Sequence, residues 1–288
     1  MVSKIFICGV LPEESGKTTL ARALIRYLVN SGYHVVPFKP LSGHNLWWQY
    51  DSYLMNVKLG ILVSEDSIRL WRAAKKRVPL ELTNPCDILL SIPDYGHYGY
   101  GEFIKMILSR DVYSMVSMGR FTLVEEGSVK RVIYYRKGFL FDEDFLERMA
   151  KEAYRLKEVE SYEDFIHLHE RYYERAVDSC YKELMRGAHD MMLIEGFNDS
   201  VYPWKGVEDS ELVVAVAPTV SLVFDKDEFF EAVHLFGTPY TVEFHRIAEL
   251  VSPMKIIRLP PLSSKELKDD DRLMKRYSNV VKEIMDLI

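Results

Sequence analysis

The fold of this chain is decided by the stretch Lys4-Ile5-Phe6-Ile7-Cys8-Gly9-Val10-Leu11-Pro12-Glu13-Glu14-Ser15-Gly16-Lys17-Thr18-Thr19. Residues 4–8 form a short apolar run that is typical of a buried parallel strand. Apolar residues from Thr18 to Val29 recur on one face of a helix, which Ser31-Gly32 ends. Residues 34–38 then indicate a second strand. A strand, a helix and a strand in such a short span predict a right-handed βαβ unit and a parallel sheet.

The loop between this strand and helix has the context that phosphate binding requires. Backbone N–H groups of such a loop and the N-terminus of the helix point at the anion. In this motif Lys17 reaches the β- and γ-phosphates of a nucleotide, and the Thr18 hydroxyl ligates Mg²⁺. Lys17 is therefore predicted to be catalytic. The residues predicted to hold the nucleotide are Glu14, Ser15, Gly16, Lys17, Thr18 and Thr19.

The first glycine of the loop departs from the common spacing. The pattern G-x-x-x-x-G-K-[ST] would place it at position 11, where this chain has Leu11, and the available glycine is Gly9. The stretch is thus a variant of the common loop. The alternative is an accidental occurrence of Gly16-Lys17-Thr18 in a turn, and the flanking strand and helix argue against it.

The remainder of the chain predicts one α/β domain over residues 1–288, with a mostly parallel sheet flanked by helices and an α+β insertion at about 95–187. Before the insertion we expect a helix at Ser64–Lys76, a strand at Asp87–Ile92 and a loop at Asp94–Gly101. Within it we expect a hairpin at Ser117–Tyr135, which turns at Glu126-Gly127-Ser128, and helices at Asp142–Leu156 and Tyr162–Arg186. After it the predicted elements are strands at Met191–Ile194, Leu212–Ala217 and Met254–Leu259, and a helix from Asp269 to the C-terminus.

Composition excludes several classes of protein. Hydrophobic residues make up 48% and charged residues 28% of the 288 residues, as in ordinary globular proteins. The net charge of −6, with no block of Lys or Arg, argues against nucleic acid or an anionic membrane as a partner. No apolar run approaches the ~20 residues that span a bilayer. The three cysteines lack C-x-x-C spacing, so neither a disulfide framework nor a zinc site is expected, and the predicted location is the cytoplasm.

Six segments in this order resemble the dethiobiotin synthetase family of P-loop ATPases. The first is the phosphate loop, whose gap between glycines is longer than usual. The others are Phe38-Lys39-Pro40-Leu41-Ser42-Gly43, the helix start Ser64-Glu65-Asp66, the turn Asn84-Pro85, Leu193-Ile194-Glu195-Gly196, and Leu259-Pro260-Pro261-Leu262. The matches cover residues 4 to about 120 intermittently and then 190 to 265.

The resemblance implies a role for each of these segments. Lys39 would contact phosphate as a catalytic residue, and Ser42 and Gly43 would face the organic substrate. Asp66 and Glu195 would join Thr18 as ligands of Mg²⁺. Pro261 would lie beside the nucleotide base. ATP and Mg²⁺ are accordingly the expected cofactors.

Other readings of these acidic and basic residues stay open at this point. Mg²⁺ keeps several waters, so one hydroxyl with one or two carboxylates is the ligand set that chemistry expects. Glu195 could instead cap a strand end or pair with an arginine. Asp66 could simply complement a helix dipole, and Asp51 is its rival as metal ligand. Lys39 could form a surface salt bridge.

The chain also departs from the family, and these departures concern the substrate. Bulky residues follow Glu195-Gly196 at Phe197–Asp199, and Leu46–Tyr50 is strongly aromatic. Pro218-Thr219 stand where the family's base-reading asparagine would be. Nucleotide and Mg²⁺ binding are therefore expected to carry over, whereas diaminopelargonic acid as the substrate is not.

The first functional hypothesis is an ATP- and Mg²⁺-dependent enzyme that phosphorylates or ligates a small organic acid or carbamate, with catalysis by positioning and charge neutralisation. The alternative is a regulatory switch ATPase of the ParA/MinD kind, although residues 11–14 lack that family's extra lysine. A nucleotide-binding scaffold without turnover is a third. By analogy with the family, a homodimer is expected. The choice between ATP and GTP stays open.

Overall fold

The computed structural model of the chain describes residues 2–108, 112–140, 143–238, 240 and 242–288. Asp142, at which one helix was predicted to begin, lies outside these residues. The strands are β1 (Ser3–Gly9), β2 (Val35–Phe38), β3 (Leu41–Asn45), β4 (Cys86–Leu90), β5 (Val116–Glu125), β6 (Ser128–Arg136), β7 (Arg155–Val159), β8 (Met191–Glu195), β9 (Leu212–Ala217), β10 (Val220–Phe224) and β11 (Lys255–Arg258). The helices are α1 (Lys17–Asn30), α2 (Tyr50–Leu59), α3 (Glu65–Ala73), α4 (Leu80–Thr83), α5 (Tyr95–Leu108), α6 (Glu143–Glu152), α7 (Tyr162–Met185), α8 (Lys226–His234), α9 (Phe244–Ile247), α10 (Ser264–Leu267), α11 (Asp270–Arg276) and α12 (Ser278–Met285).

The chain is an α/β protein that forms two compact units. Unit 1 consists of Met1–Pro40, Ile68–Thr83 and Leu184–Ile288. Unit 2 consists of Leu41–Ser67 and Asn84–Glu183, so it begins earlier in the chain than the inserted region that the sequence predicts at about 95–187. No helix among the described residues is both long and apolar enough to cross a membrane.

Unit 1 is built on a six-stranded sheet in the order β11-β10-β9-β1-β8-β2. The neighbours β9, β1, β8 and β2 pair in parallel, and only β10 runs against the rest of the sheet. β8 and β9 are apolar and almost wholly buried, as expected of strands covered on both faces. The predicted βαβ unit and the later strands are therefore confirmed. β10 was missed, and it follows β9 after a tight turn in which Thr219 has φ +73°.

The core of unit 1 lies between this sheet and the helices α1, α11 and α12. Leu20, Leu24 and Leu28 of α1 are buried against apolar residues of β1, β8 and β9. Two ion pairs tie α1 to α11, from Arg22 to Asp270 at 2.6 Å and from Arg26 to Asp271 at 2.7 Å. The predicted C-terminal helix is two helices, α11 and α12, which meet at Tyr277.

Unit 2 is built on a five-stranded mixed sheet in the order β3-β4-β5-β6-β7. The predicted hairpin is confirmed as β5 and β6, which pair up to Glu125 and Ser128. Its two-residue turn has positive φ at both Glu126 (52°) and Gly127 (75°), as a type I′ turn requires.

Two local predictions in unit 2 are wrong, and some of its elements were not predicted. The helix predicted to run to Leu156 ends at Glu152, because the next residues pair in parallel with β6 as strand β7. The loop predicted at Asp94–Gly101 is largely helical as part of α5, which is interrupted at Gly99 (φ 69°). β3 and α2 were not predicted at all.

A buried arginine fixes the turn that contains Asn84-Pro85. The Arg120 side chain is fully buried and bonds backbone carbonyls within unit 2: Nε donates to Leu62 O at 2.7 Å, Nη1 to Pro85 O at 3.1 Å and Nη2 to Asn84 O at 2.7 Å. Asn84 Oδ1 accepts a further bond at 2.9 Å. Arg120 thus supplies donors to the carbonyl groups of Leu62 and Asn84, whereas Pro85 O also accepts from Thr122 N at 2.8 Å.

We expect Arg120→Met to destabilise the protein by about 3 kcal/mol or more, because the buried oxygens of Leu62 and Asn84 would lose a donor together. The measurement is urea unfolding followed by circular dichroism. Arg175→Met is the matched control, since Arg175 is exposed, pairs with Glu125 at 3.3 Å and lies over the Tyr172 ring at 5.9 Å, and exposed pairs of this kind contribute roughly 0–1 kcal/mol. Equal effects of the two substitutions would contradict the proposed role of Arg120.

Candidate functional site

The carboxyl ends of three parallel strands in unit 1 meet at one edge of the sheet. Ile7 in β1 is level with Glu195 in β8, and Phe38 in β2 is level with Ile194. Lys39, the residue after β2, therefore lies at the same level as Glu195. The loop that follows Gly9 leaves the sheet at this edge, which is where open α/β sheets bind ligands.

The loop after β1 presents backbone donors at its end. Residues 11–14 are exposed, whereas Ser15 is buried. Glu14 and Gly16 both have left-handed backbones, with φ 51° and 93°. α1 then begins at Lys17 without a side-chain cap and without an acidic residue in its first turn. The first N–H groups of this 14-residue helix are thus left for an anion, which the helix dipole also favours.

Lys17 folds back over the end of β1. Its ammonium lies 3.1 Å from Ser15 Oγ, and its side chain is buried. A Cβ at Gly9 would lie 2.7 Å from Lys17 Nζ, 2.7 Å from Leu11 O and 2.9 Å from Asn198 O. Position 9 therefore requires glycine, because the Lys17 ammonium and two backbone carbonyls leave no room for a Cβ atom. This gives the early glycine a physical role despite its unusual spacing from Gly16.

Glu195, Thr18 and Lys39 form the polar centre of this edge. Thr18 Oγ1 donates to Glu195 Oε1 at 2.9 Å, and Lys39 Nζ forms a short ion pair with the same oxygen. Lys39 Nζ also lies 3.4 Å from Gly196 O. Glu195 is 1% exposed and Lys39 5%, so both charges are removed from water and each requires the other. The surface salt bridge considered for Lys39 is excluded by this burial.

The second carboxylate oxygen of Glu195 makes the site suitable for a cation. Glu195 Oε2 is buried and has no hydrogen-bond partner among the residues that the structure describes. An unpaired carboxylate oxygen is costly to bury, and a metal ion or a ligand donor would offset that cost. Thr18 and Glu195 thus supply one hydroxyl and one carboxylate, which is the small set of protein oxygens that Mg²⁺ accepts while keeping its waters.

Charged side chains near the end of β1 act on the buried thiol of Cys8. Burial raises the pKa of the Cys8 thiol to about 12, the nearby Lys17 ammonium opposes that rise, and the Asp199 carboxylate adds to it. Cys8 therefore stays a neutral thiol and packs as a small apolar residue. Cys86 and Cys180 are likewise free and buried.

A cavity of about 260 Å³ adjoins the phosphate loop within unit 1. Its lining comprises the residues Thr19, Arg22, Arg69, Ser264, Leu267 and Lys268. Arg22 is held in place by Asp270 and by Leu267 O, so its guanidinium is fixed at the cavity wall. Pro261 is exposed in the segment between β11 and α10, three residues before Ser264. Arg69 and Lys268 belong to no recognisable motif of the sequence, so no sequence signal points to them.

The remaining predicted site residues belong to unit 2. Ser42 is fully buried in β3, where its hydroxyl bonds Asn84 Oδ1 at 3.1 Å and contacts the Asp87 carboxylate. Gly43, its neighbour in β3, is half-buried. Asp66 is half-buried in the first turn of α3, as predicted, behind Ser64, whose hydroxyl accepts from Ser67 N at 3.3 Å. Asp51 is exposed in the first turn of α2. The metal and substrate roles of these residues stay predictions.

No protein-family model matches this sequence, and no curated protein is significantly similar to it. The functional assignment therefore depends on the geometry of the edge formed by β1, β8 and β2 and on the motif resemblance of its residues.

We expect Gly9→Ala to weaken binding of a nucleoside triphosphate about tenfold or more, which corresponds to about 1.4 kcal/mol. The added methyl group would displace Lys17 or the carbonyl of Leu11, and small displacements at such sites are expensive. The measurement is calorimetric titration with a non-hydrolysable ATP analogue. Gly101→Ala is the control, because a Cβ there meets nothing within 4 Å. Unchanged affinity in Gly9→Ala would show that the Gly9 contact does not matter for binding.

Proposed function

We propose that this chain is a P-loop ATPase that uses Mg²⁺-ATP to phosphorylate or ligate a small organic acid or carbamate, in the manner of dethiobiotin synthetases. One observation carries the proposal. The Thr18 hydroxyl and the Lys39 ammonium converge on one oxygen of the buried Glu195 carboxylate, at the strand edge from which the phosphate loop leaves.

The loop supplies the groups that would hold the triphosphate. The N–H groups at residues 14–19 would bind phosphate oxygens, and the Lys17 ammonium would move from Ser15 Oγ to the β- and γ-phosphates. Lys17 and Lys39 together would place two positive charges at the transferred group. Both lysines are buried, so little bulk water would screen that charge. Phosphoryl transfer depends mainly on such positioning and charge neutralisation.

Thr18 and Glu195 would hold the metal ion. Asp66 and its rival Asp51 stay candidates for a second carboxylate on the sequence argument alone. Mg²⁺ bound to Glu195 would neutralise charge that develops on the phosphate oxygens. Lys39 pairs with the same Glu195 oxygen that accepts from Thr18. With a cation on Glu195, the Lys39 ammonium would be available to contact the γ-phosphate, which would account for a lysine and a candidate metal ligand sharing one oxygen.

The nucleotide base would lie towards the cavity that begins at Thr19, where Pro261 precedes the lining residue Ser264. The basic residues Arg22, Arg69 and Lys268 of this cavity suit the phosphates and ribose of a nucleotide. In the transfer step an oxygen of the substrate's carboxylate or carbamate would bond to the γ-phosphorus while the bond to the β–γ bridging oxygen breaks. The products would be an acyl or carbamoyl phosphate and ADP. The substrate roles of Ser42 and Gly43, and a homodimeric state, belong to the proposal as analogies with the family.

We expect Lys17→Ala to weaken binding of the ATP analogue at least 100-fold, because the lysine is the main positive charge at the loop. The measurement is calorimetric titration in the presence of Mg²⁺. Lys282→Ala, at an exposed position in α12, is the control and should bind as the unchanged protein does. Binding that survives in Lys17→Ala would refute the phosphate-loop assignment.

We expect the chain to release ADP from Mg²⁺-ATP when one member of a panel of small carboxylic and amino acids is added. Glu195→Gln should lower that turnover at least 100-fold while ATP still binds, because the amide loses the charge that holds the metal. The amide still accepts bonds from Thr18 and Lys39, and a melting curve checks that the variant is folded. Glu211→Gln, which is exposed, is the matched control. Turnover stimulated only by a protein partner would contradict the small-molecule proposal and favour the switch ATPase.

A further inference from the structure

A second cluster of metal-ligating side chains lies in unit 1, apart from Thr18 and Glu195. Asp199, Glu243 and His245 each offer one ligand atom, and these atoms all lie within 4.8 Å of one another. The three side chains come from two distant segments of the sequence. Asp199 follows β8, whereas Glu243 and His245 lie at the beginning of α9.

Backbone hydrogen bonds fix the two segments to each other. Ser200 and Glu243 form an antiparallel bridge, Val201 N donates to Val242 O at 3.2 Å, and Phe244 N donates to Asp199 O at 2.9 Å. Val201, Val242 and Phe244 are buried, which anchors both strands of this contact. The backbone segments that carry the three ligand side chains are therefore held together by the fold.

The Asp199 carboxylate is the observation that points to a ligand. Asp199 is 7% exposed, and within the described part of the chain its carboxylate forms no hydrogen bond or ion pair, so the little solvent that reaches it is its remaining polar contact. A largely buried carboxylate of this kind would gain from a bound cation. The neighbouring Glu243 and His245 are exposed, and His245 Nδ1 lies 3.4 Å from Glu243 Oε2. One deep ligand and two at the surface leave a path by which an ion can enter.

We propose that Asp199, Glu243 and His245 bind a divalent transition-metal ion of the Zn²⁺ or Mn²⁺ class. Two carboxylates balance the charge of such an ion, and the imidazole favours a transition metal over Mg²⁺ or Ca²⁺, which prefer ligand sets made only of oxygen. Three protein ligands also leave at least one coordination position for water or for an oxygen of a substrate, as in catalytic zinc sites.

The site adjoins the end of β1. The Asn198 carbonyl, one residue before Asp199, lies 2.9 Å from the Cβ position of Gly9, and the Asp199 charge acts on Cys8. An ion at this site adds positive charge next to the strand end from which the phosphate loop leaves. The inference goes beyond the proposed nucleotide chemistry and does not depend on it, because these ligands are in place without a nucleotide.

The test is titration of the full metal-free chain with Zn²⁺ by calorimetry and with Mn²⁺ by electron paramagnetic resonance, both without nucleotide. Glu195→Gln serves as the background in which the Thr18–Glu195 position cannot contribute. We expect one saturable site for Zn²⁺ or Mn²⁺ in that background. Mg²⁺ in 100-fold excess over the bound ion should not displace it. Asp199→Asn and His245→Gln, each added to that background, should weaken binding at least tenfold.

His234→Gln is the matched control, because His234 also contacts a carboxylate, Glu208 at 2.9 Å, but belongs to no such three-residue group in the described residues. It should bind the metal as the background protein does. His245 is exposed, so its variant folds even if Asp199→Asn does not. The proposal is wrong if the background protein shows no saturable binding, if His245→Gln binds unchanged, or if His234→Gln loses binding equally.

Discussion

The shared oxygen of Glu195 is the contact on which the arrangement of unit 1 depends. Glu195 ends β8, Thr18 lies in the first turn of α1 and Lys39 follows β2, so one carboxylate joins three elements that are distant in sequence. Because β1 lies between β8 and β9, the loop after β1 must leave the sheet directly beside this carboxylate. Replacing either charge alone would leave the other buried and unpaired, which costs more than the pair contributes to stability. Such a pair is retained more readily where a ligand uses it than where only stability is at stake.

The variant spacing of the phosphate loop has a local explanation in the same contact region. Gly9 ends β1 and lies under the Lys17 ammonium, with Leu11 O and Asn198 O on either side. The longer gap to Gly16 leaves residues 11–14 exposed at the surface and returns the chain at Ser15, which is buried. Close approach in this candidate phosphate loop is thus met at its two ends, by Gly9 and by the left-handed Gly16.

The sequence predicted those parts of the molecule whose signals are local. The βαβ unit, the strands β8, β9 and β11 and the type I′ turn at Glu126-Gly127 each follow from periodicity or turn chemistry within a few residues. β3 and β7 were not predicted in this way, because each pairs in parallel with a strand that is not its neighbour in a hairpin, and such pairing leaves no local turn signal. The Thr18, Lys39 and Glu195 cluster was accessible through motif order. The sequence marked Asp199 only because the family that the chain resembles has small residues at this point. Its neighbours in space, Glu243 and His245, are far away in the sequence.

The tight segment from Glu195 to Asp199 explains how unit 1 can present two acidic groups at one end of its sheet. A Cβ at Gly196 would lie 3.0 Å from Ser200 O and 3.4 Å from the Phe6 ring, so the chain turns there at close quarters. Asn198 then adopts φ 49°, which asparagine tolerates better than most residues. The turn separates the two carboxylates, and Glu195 contacts Thr18 and Lys39 while Asp199 joins Glu243 and His245. Small residues at positions 197–199 would preserve the turn but remove the second group. Asp199 therefore stands where the family that the motifs resemble has small residues.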